Sequence, residues 1–434
     1  MTPRIPRFLS GAMLFVATAA LAQIVTDGTV GPRATLTGPD MTIGAELGTT
    51  KGANLFHSFQ TFDIPTQHTA TFTGPDRIQN VISRVTGGKA SQLDGTLRTQ
   101  VGKADVFLVN PSGVVMGPNA KVDVPAAFHV STADEIRFTD GSRYSASDPA
   151  ASTLTVAAPE SFGFLSPQPA SLTINGSELE LKPGKTATFT AGDVNIAGAS
   201  AEQRAAIVAP GGEIRIEALG SSSGQVSIKT PSAQPGNGRL STAHTRIEAT
   251  GDGGGRLTVR AGEADLSNTW LFADNDGASD ASGGVDVMIA GRMRLSNGAG
   301  LTTDVLGAGN AGSVKVSASL LEILNGSWIS SSTLAAGNAG AIFVRADNLH
   351  IDNAGIISQA GSQSDVPDPD FNVLLSESAF LHTQAGTGVI GNAGQIIVEI
   401  DGLLELANNG SISSQTFAAG HAGTLQVRAG ELSM

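Results

Sequence analysis

The stretch GNAGSVKVSASLLEILNGSWISSSTLAA (309–336) is followed at once by GNAGAIFVRADNLHIDNAGIISQA (337–360), and the wording returns in GNAGQIIVEIDGLLELANNGSISSQTFAA (391–419) and GHAGTLQVRAGELSM (420–434). With the last glycine of each block as anchor, the copies start at Gly312, Gly340, Gly394 and Gly423, and weaker ones at Gly255 and Gly283. The successive steps are 28, 29, 28, 54 and 29 residues, and self-similarity at such a fixed period marks a solenoid. The step of 54 reads as two repeats, the second degraded around VPDPDFNV (366–373).

Inside each repeat the second and fourth residues after the anchor are apolar: Leu257 and Val259, Val285 and Val287, Val314 and Val316, Ile342 and Val344, Ile396 and Val398, Leu425 and Val427. The residue between them drifts through Thr258, Asp286, Lys315, Phe343, Ile397 and Gln426, as expected of a strand with one buried and one outward face. A second apolar pair follows, such as Leu321 with Ile323, and then a corner at Asn297-Gly298, Asn325-Gly326 or Asn409-Gly410, residues that tolerate positive φ. A third short run such as WISSST (328–333) closes the repeat. Three strands and three corners make one coil of an all-β, parallel β-helix, a single-stranded solenoid of the pectin-lyase-like kind. Roughly 15 coils stacked at about 4.8 Å would form a rod of order 70 Å. No stretch sustains a 3.6-residue pattern.

Composition agrees. Charged residues are 15% of the 434-residue chain and glycine is about 12%, a balance rich in turns and poor in charged helix faces. The net charge of −13, with 26 basic residues spread thinly, excludes nucleic acid and anionic membranes as expected partners. With no cysteine, there is no disulfide framework, thiolate metal site or thiol nucleophile. At the N-terminus Arg4 and Arg7 precede an apolar run from Phe8 to Leu21 that ends in Ala20-Leu21-Ala22, the three parts of a secretory signal peptide, with cleavage expected after Ala22. The run is too short for a bilayer span, which needs about 20 residues.

The first half keeps the β grammar but loses the period. GANLFHSFQTFDI (52–64), IQNVISRVTGGKASQLDGTL (78–97), VFLVNPSGVVMGPNAKVDVPAAFHVSTADEIRF (106–138) and LTVAAPESFGF (154–164) resemble, in order and spacing, the secretion domain of two-partner secretion exoproteins, the filamentous-haemagglutinin family. The resemblance runs from about Ile24 to about Phe164, and residues 173–198 and 209–220 extend it; Met116 stands where relatives often carry an aromatic residue. It implies a right-handed β-helix with an N-terminal cap. It also implies capture in the periplasm by an outer-membrane β-barrel transporter with periplasmic recognition domains, passage through the pore unfolded, and folding outside. The missing cysteines fit this route, since a disulfide made in the periplasm would lock a loop too wide for a narrow barrel. The expected organisation is a signal peptide (1–22), a secretion domain (23–165), a β-helix extension (166–250) and repeats of about 28 residues (251–434).

Asn110-Pro111-Ser112-Gly113 aligns with the family's Asn-Pro-x-Gly motif, in which proline presets the second turn position and glycine relieves a strained corner. Asn54, Asn80 and Asn119 sit beside turns in the same blocks. These six positions, Asn54, Asn80, Asn110, Pro111, Gly113 and Asn119, are the candidate transporter-recognition or secretion-motif residues. Each asparagine either caps a corner inside the solenoid or contacts the transporter directly.

Other motifs carry less. GAGNAG (307–312) and GTGVIG (386–391) spell G-x-G-x-x-G with no helix following, so they are read as corners and not dinucleotide loops. DNDGASD (274–280) has its glycine fourth instead of sixth, unlike a calcium loop, and Asp365, Asp368 and Asp370 read as solvated. His57, His68 and His129 lack a second ligand at short spacing, so no metal or cofactor is expected. The leading function is a secreted, adhesin-like exoprotein at or beyond the cell surface, meeting host-cell or matrix glycans or proteins. The rivals are a β-helix polysaccharide-degrading enzyme and a structural filament. An enzyme needs acids and bases stacked at one offset in neighbouring coils, whereas the ladder Arg260, Met288, Ser317, Arg345, Glu399 and Arg428 reads as a mixed solvent edge. The last repeat stops after little more than one strand and carries no cap, so the chain is expected to be a truncated piece or to pair its open end with another copy.

Overall fold

A computed structural model describes residues 24–221, 223–360, 391–416 and 419–434; the signal-peptide segment and the acidic loop at 365–370 lie outside them. Eleven parallel pairings join twelve first-ladder strands one above another, from Asn54–Phe62 through Asp105–Val109 and Arg256–Ala261 to Leu425–Ser433. Two further ladders close each coil, one passing through Val114–Met116 and Leu172–Asn175, the other through Gly300–Thr302 and Trp328–Ser330. The only helical elements among the described residues are two single 3₁₀ turns, Ala45–Leu47 and Pro149–Ala151. The fold is a parallel β-helix.

The alternation read from the repeats decides which side chains enter the coil. Val314, Val316, Leu321 and Ile323 are buried, Lys315 between the first pair is exposed, and Val316 stacks on Val287 below and Val344 above. The first and second apolar runs form one long strand, Ser313–Leu324, so the corner between them is a bend within a strand and not a break.

The step of 54 is a single coil and not two. Strand Ile342–Asp352 is paired on one side by Ser313–Leu324 and on the other by Ile396–Ala407, so no edge is left for an intervening coil. Asn392 Nδ2 likewise donates directly to Asn338 Oδ1 at 2.8 Å. The extra residues, including VPDPDFNV, are an insertion in the sequence and lie outside the described residues. This insertion, and segments that leave the coil in the first half, reduce the stack to twelve coils, about 50 Å long at about 4.8 Å per step.

Two features of the repeat wording acquire a cause. A Cβ on Gly340 would stand 1.7 Å from the Gly312 carbonyl oxygen, and one on Gly394 equally close to that of Gly340, so the anchor column admits only glycine. The asparagine two residues before Gly312, Gly340 and Gly394 forms an amide ladder: Asn310 Nδ2 donates to Asp280, Asn338 Nδ2 to Asn310, and Asn392 Nδ2 to Asn338. The corners at Asn297-Gly298 and Asn325-Gly326 take positive φ at both residues as expected. At the last corner the left-handed pair is Asn408-Asn409 instead; Gly410 is required because a Cβ there would meet the Ile351 carbonyl oxygen at 2.3 Å.

In the first half the outward face of the coil is also covered. Glu135–Phe138, Arg143–Ser145, Pro159–Phe164 and Gly224–Ser227 form an antiparallel sheet outside the coil. A second core, with Phe56, Ile82 and Phe107 from the coil and Phe138, Tyr144 and Phe162 from the sheet, lies between them. Thr258, read as outward and solvent-facing, is buried for a related reason: the segment after Gly224–Ser227 folds over this face, where Arg260 Nε donates to the Ser232 carbonyl at 3.0 Å. The Arg260-to-Arg428 ladder has the register read from the sequence, but its Arg260 end is buried against Asp286 at 2.8 Å. At the N-terminal end Ile24–Thr26 and Thr49–Lys51 pair antiparallel with Asn54–Phe62 and cap the first coil.

Val316→Asp or Ile323→Asp places an unpaired charge inside the stack and should destabilise by several kcal/mol, while Lys315→Asp should cost less than about 0.5 kcal/mol. Urea unfolding of the three variants checks the register; equal losses would contradict it.

Candidate functional site

The Asn-Pro-Ser-Gly turn follows first-ladder strand Asp105–Val109 and leads into Val114–Met116. Gly113 N–H donates to the Asn110 carbonyl at 3.0 Å, closing a four-residue turn, and Ser112 N–H donates to Asn110 Oδ1 at 2.9 Å. Asn110 Nδ2 donates to the Lys89 carbonyl at 2.9 Å and to Ser91 Oγ at 3.0 Å, tying this corner to the corner of the coil below. Pro111 presets the turn without leaving a donor unpaired. Gly113 sits at φ +111°, where a side chain would be strained. Asn110 is wholly buried, with both ends of its amide used inside the protein. Met116 packs inward between Leu93 and Ile174 of the adjoining coils.

Asn54 and Asn80 are opposite each other at the starts of successive strands. Asn54 Nδ2 donates to the carbonyls of Thr155 (3.0 Å) and Ala157 (2.7 Å), and Asn80 Nδ2 donates to Asn54 Oδ1 at 2.8 Å. This clasp holds the segment that enters the outer sheet, more than 100 residues away in sequence. Asn119 is different. It is exposed in the turn Gly117–Ala120, where its backbone N–H donates to Asp94 Oδ1 at 2.9 Å and its Nδ2 lies 3.2 Å from Asp94 Oδ2. The six residues therefore do not converge on one patch: Asn54 with Asn80 holds the flanking sheet, Asn110 to Gly113 locks a corner, and Asn119 is the one fully exposed member of the set.

A buried cation that sequence reading passed over joins these parts. Arg84, 1% exposed, donates from Nε to Ser58 Oγ (2.7 Å), from one terminal nitrogen to the Ser145 carbonyl (2.6 Å), and from the other to Thr29 Oγ1 (2.9 Å). Its guanidinium lies 4.1 Å from the centre of the Tyr144 ring, and Tyr144 Oη donates to the His57 carbonyl. Asp27, in the cap, accepts from Ser58 and Thr86. Cap, coil and flanking sheet thus share one polar network. Its signals were an arginine between Ile82 and Val85 in strand Asn80–Val85 and the only tyrosine of the chain.

Two of the three histidines weighed as ligands, His57 and His129, are packed inside the protein. His57 is fully buried beside Phe59 and Phe72, and burial, opposed in part by the Leu47 backbone, pushes it down to about 4. His129 stacks on Phe107 with Nδ1 2.8 Å from Thr188 Oγ1; burial and then the nearby Arg215 push it down to about 3. His68 is half-buried with Nδ1 near the Thr66 carbonyl. In DNDGASD, Asn275 turns inward and its Nδ2 donates to the carbonyls of Ser279 and Asn310, which makes the loop a stacked corner. Acids at one offset in neighbouring coils do occur on the third ladder, at Asp274 and Asp304. Asp274 is engaged by Thr302 Oγ1 and the Asp304 N–H, and Asp304 by Ser330 Oγ and the Ser332 N–H. Burial raises both carboxyls, and that of Asp274 is raised further by Asp304. Among the described residues no group of three or more histidine, aspartate or glutamate side chains is placed to hold a metal ion.

A parallel β-helix with an antiparallel N-terminal cap and a sheet packed on its flank, held by a clasp of asparagines, defines a secretion-domain solenoid. The model of the TPS secretion domain family matches residues 22–251, just over half of the chain, and the chain belongs to this family of two-partner secretion exoproteins. Among solved structures, the secretion domain of HMW1 from Haemophilus influenzae shares the fold with a TM-score of 0.54 and 16% identity, over 90% of this chain and 96% of that one. A heme/hemopexin-binding protein of Haemophilus influenzae is 37% identical over 91 residues, 21% of this chain and 9% of the relative's length. Family membership implies a partner transporter in the outer membrane and export to the outside of the cell.

Asn110→Ala removes both Nδ2 donors and strands Ser112 N–H, and should cost about 2–3 kcal/mol, whereas Asn119→Ala should cost under about 1 kcal/mol. Comparison of urea midpoints at one pH tests the contrast. On acidification the raised carboxyls of Asp274 and Asp304 should strengthen the fold, and the two buried histidines should weaken it. Both histidines are depressed in the folded chain, so the unfolded chain takes up protons first as pH drops below about 6.5; the His57 contribution of about 3 kcal/mol is fully present above that pH and gone by about 4. His57→Leu should remove close to one proton's slope from the pH dependence of the unfolding free energy between pH 6.5 and 4, and an unchanged slope would assign the effect elsewhere.

Proposed function

We propose that this exoprotein is adhesin-like, that its N-terminal domain is read by its cognate transporter while still unfolded, and that folding outside then withdraws the motif. The observation that carries this reading is the burial of Asn110 and Asn54, 0% and 1% exposed, with their amides consumed by internal hydrogen bonds. A receptor can touch those side chains only before the coils form. The same residues then lock corners, so one motif serves recognition and folding in sequence. Outside the cell the solenoid offers an outward face free of the constraints on its core, which suits binding of host or matrix partners. A binding role in place of a catalytic one is favoured by the engagement of Asp274 and Asp304 in their own loops and by a relative named for binding heme and hemopexin.

The test is secretion of the whole chain beside its cognate transporter. Replacing Asn110 and Pro111 together by alanine should leave the protein in the periplasm with its signal peptide removed, while Asn119→Ala should be secreted normally. Wild-type secretion of the double variant would remove the turn from the export step. Incubation of the secreted protein with acidic and neutral polysaccharides should release no reducing ends.

A further inference from the structure

A slot of about 640 Å³ runs along the flank of the coil, between the first ladder and the outer sheet. Its floor is one column of the ladder, Asn80, Asp105, Ala127, Thr186 and Glu213, one residue from each of five successive coils. Four steps of about 4.8 Å make it about 19 Å long, the dimension of a linear chain of several units. Pro159 and Ile228, from the outer sheet and the segment after it, form the facing wall.

The charges in the slot are unbalanced. Asp105 accepts from the Ala127 N–H, and Glu213 is paired with Arg215 at 2.8 Å. Lys103 at one end and Lys229 at the other are exposed, and neither takes part in an ion pair among the described residues, in a chain whose net charge is −13. Arg215, 2% exposed, donates from its terminal nitrogens to the Ile228 and Lys229 carbonyls and to Glu213, yet its Nε is buried without a partner. A buried guanidinium N–H left unpaired is costly and calls for an acceptor.

The strands around the slot exclude one kind of occupant. The floor strands Asp105–Val109, Phe128–Ser131 and Thr186–Ala191 are each paired on both sides, and Pro159–Phe164 is paired by Glu135–Phe138 and by Gly224–Ser227. Along the floor an extended peptide would find no free strand edge, and at the wall's edge strand, Gly224–Ser227, the carbonyls of Ser227, Ile228 and Lys229 are already taken by Arg215. Recognition must come from side-chain amides, hydroxyls and ammonium groups, the donors and acceptors that suit ring hydroxyls. We infer that the slot binds an acidic oligosaccharide, its sugar hydroxyls facing Asn80 and Thr186 and its anionic groups facing Lys103 and Lys229.

Calorimetric titration of the secreted chain at low ionic strength tests this, with tetragalacturonate, sulfated maltotetraose and unmodified maltotetraose as probes. The expected result is saturable binding of at least one anionic probe, ten-fold or more tighter than the neutral one and weakening as salt rises. Lys103→Glu with Lys229→Glu should weaken it at least ten-fold, and Lys315→Glu, on a distant coil, should not. The tighter of the two anionic probes identifies carboxylate or sulfate as the preferred group. No saturable binding of either anionic probe, or binding unchanged in the double variant, would overturn the proposal. The double variant alters none of the motif turns and should be secreted normally, so loss of binding and loss of export are separable.

Discussion

The whole structure depends on one constraint: every first-ladder strand between the two end coils hydrogen-bonds in parallel to the strand one coil before it and the strand one coil after it. Parallel register repeats each position directly above its equivalent at about 4.8 Å, so a residue must be compatible with its own copies. Apolar positions become continuous columns, as Val287, Val316 and Val344 do. Where two backbones approach too closely for a Cβ, the column is glycine, as at Gly312, Gly340 and Gly394. Where a corner leaves polar groups unpaired, the column is asparagine, each amide donating to the one below. An ordinary globular core shares its packing among unlike neighbours; here each coil is specified by the next.

The first half obeys the same rule but adds a second core on the outside. Phe56, Ile82 and Phe107 point out of the coil, and the outer sheet supplies Phe138, Tyr144 and Phe162 to cover them. The buried Arg84 is tolerable because its guanidinium is fully engaged and lies against the Tyr144 ring. Since its partners come from cap, coil and flanking sheet, that network can form only when all three are present. This gives the N-terminal domain a cooperative unit of its own, distinct from the coil-by-coil stacking of the repeats.

That difference suits export without disulfides or long helices. Each repeat coil buries its apolar face only against a neighbour already formed, so stacking outside the cell can advance one coil at a time. In the proposed route, the segments read by the transporter carry residues whose side chains become inaccessible once the fold is complete. Burial of Asn54 and Asn110 is therefore compatible with a role before folding and a different role after it.

The sequence alone determined the solenoid, because a column of like residues prints its period directly into the chain: the anchor glycines, the alternation around Lys315 and the Asn-Gly corners all repeat visibly. It also determined the Asn-Pro-Ser-Gly turn, a local structure closed within four residues. The merging of two repeats into one coil with an insertion was hidden, because spacing measures chain length whereas pairing is decided by which strand edge is free. The fate of the outward face was hidden for a similar reason. Whether Thr258 or Arg260 meets water depends on a segment folding back from earlier in the chain, and alternation carries no record of that. The clasp of Asn54 on Thr155 and Ala157, the engagement of Arg84, and the slot between coil and sheet join residues tens to more than a hundred positions apart. Only the tertiary structure decided them, since no local pattern encodes a contact whose two sides have unrelated sequences.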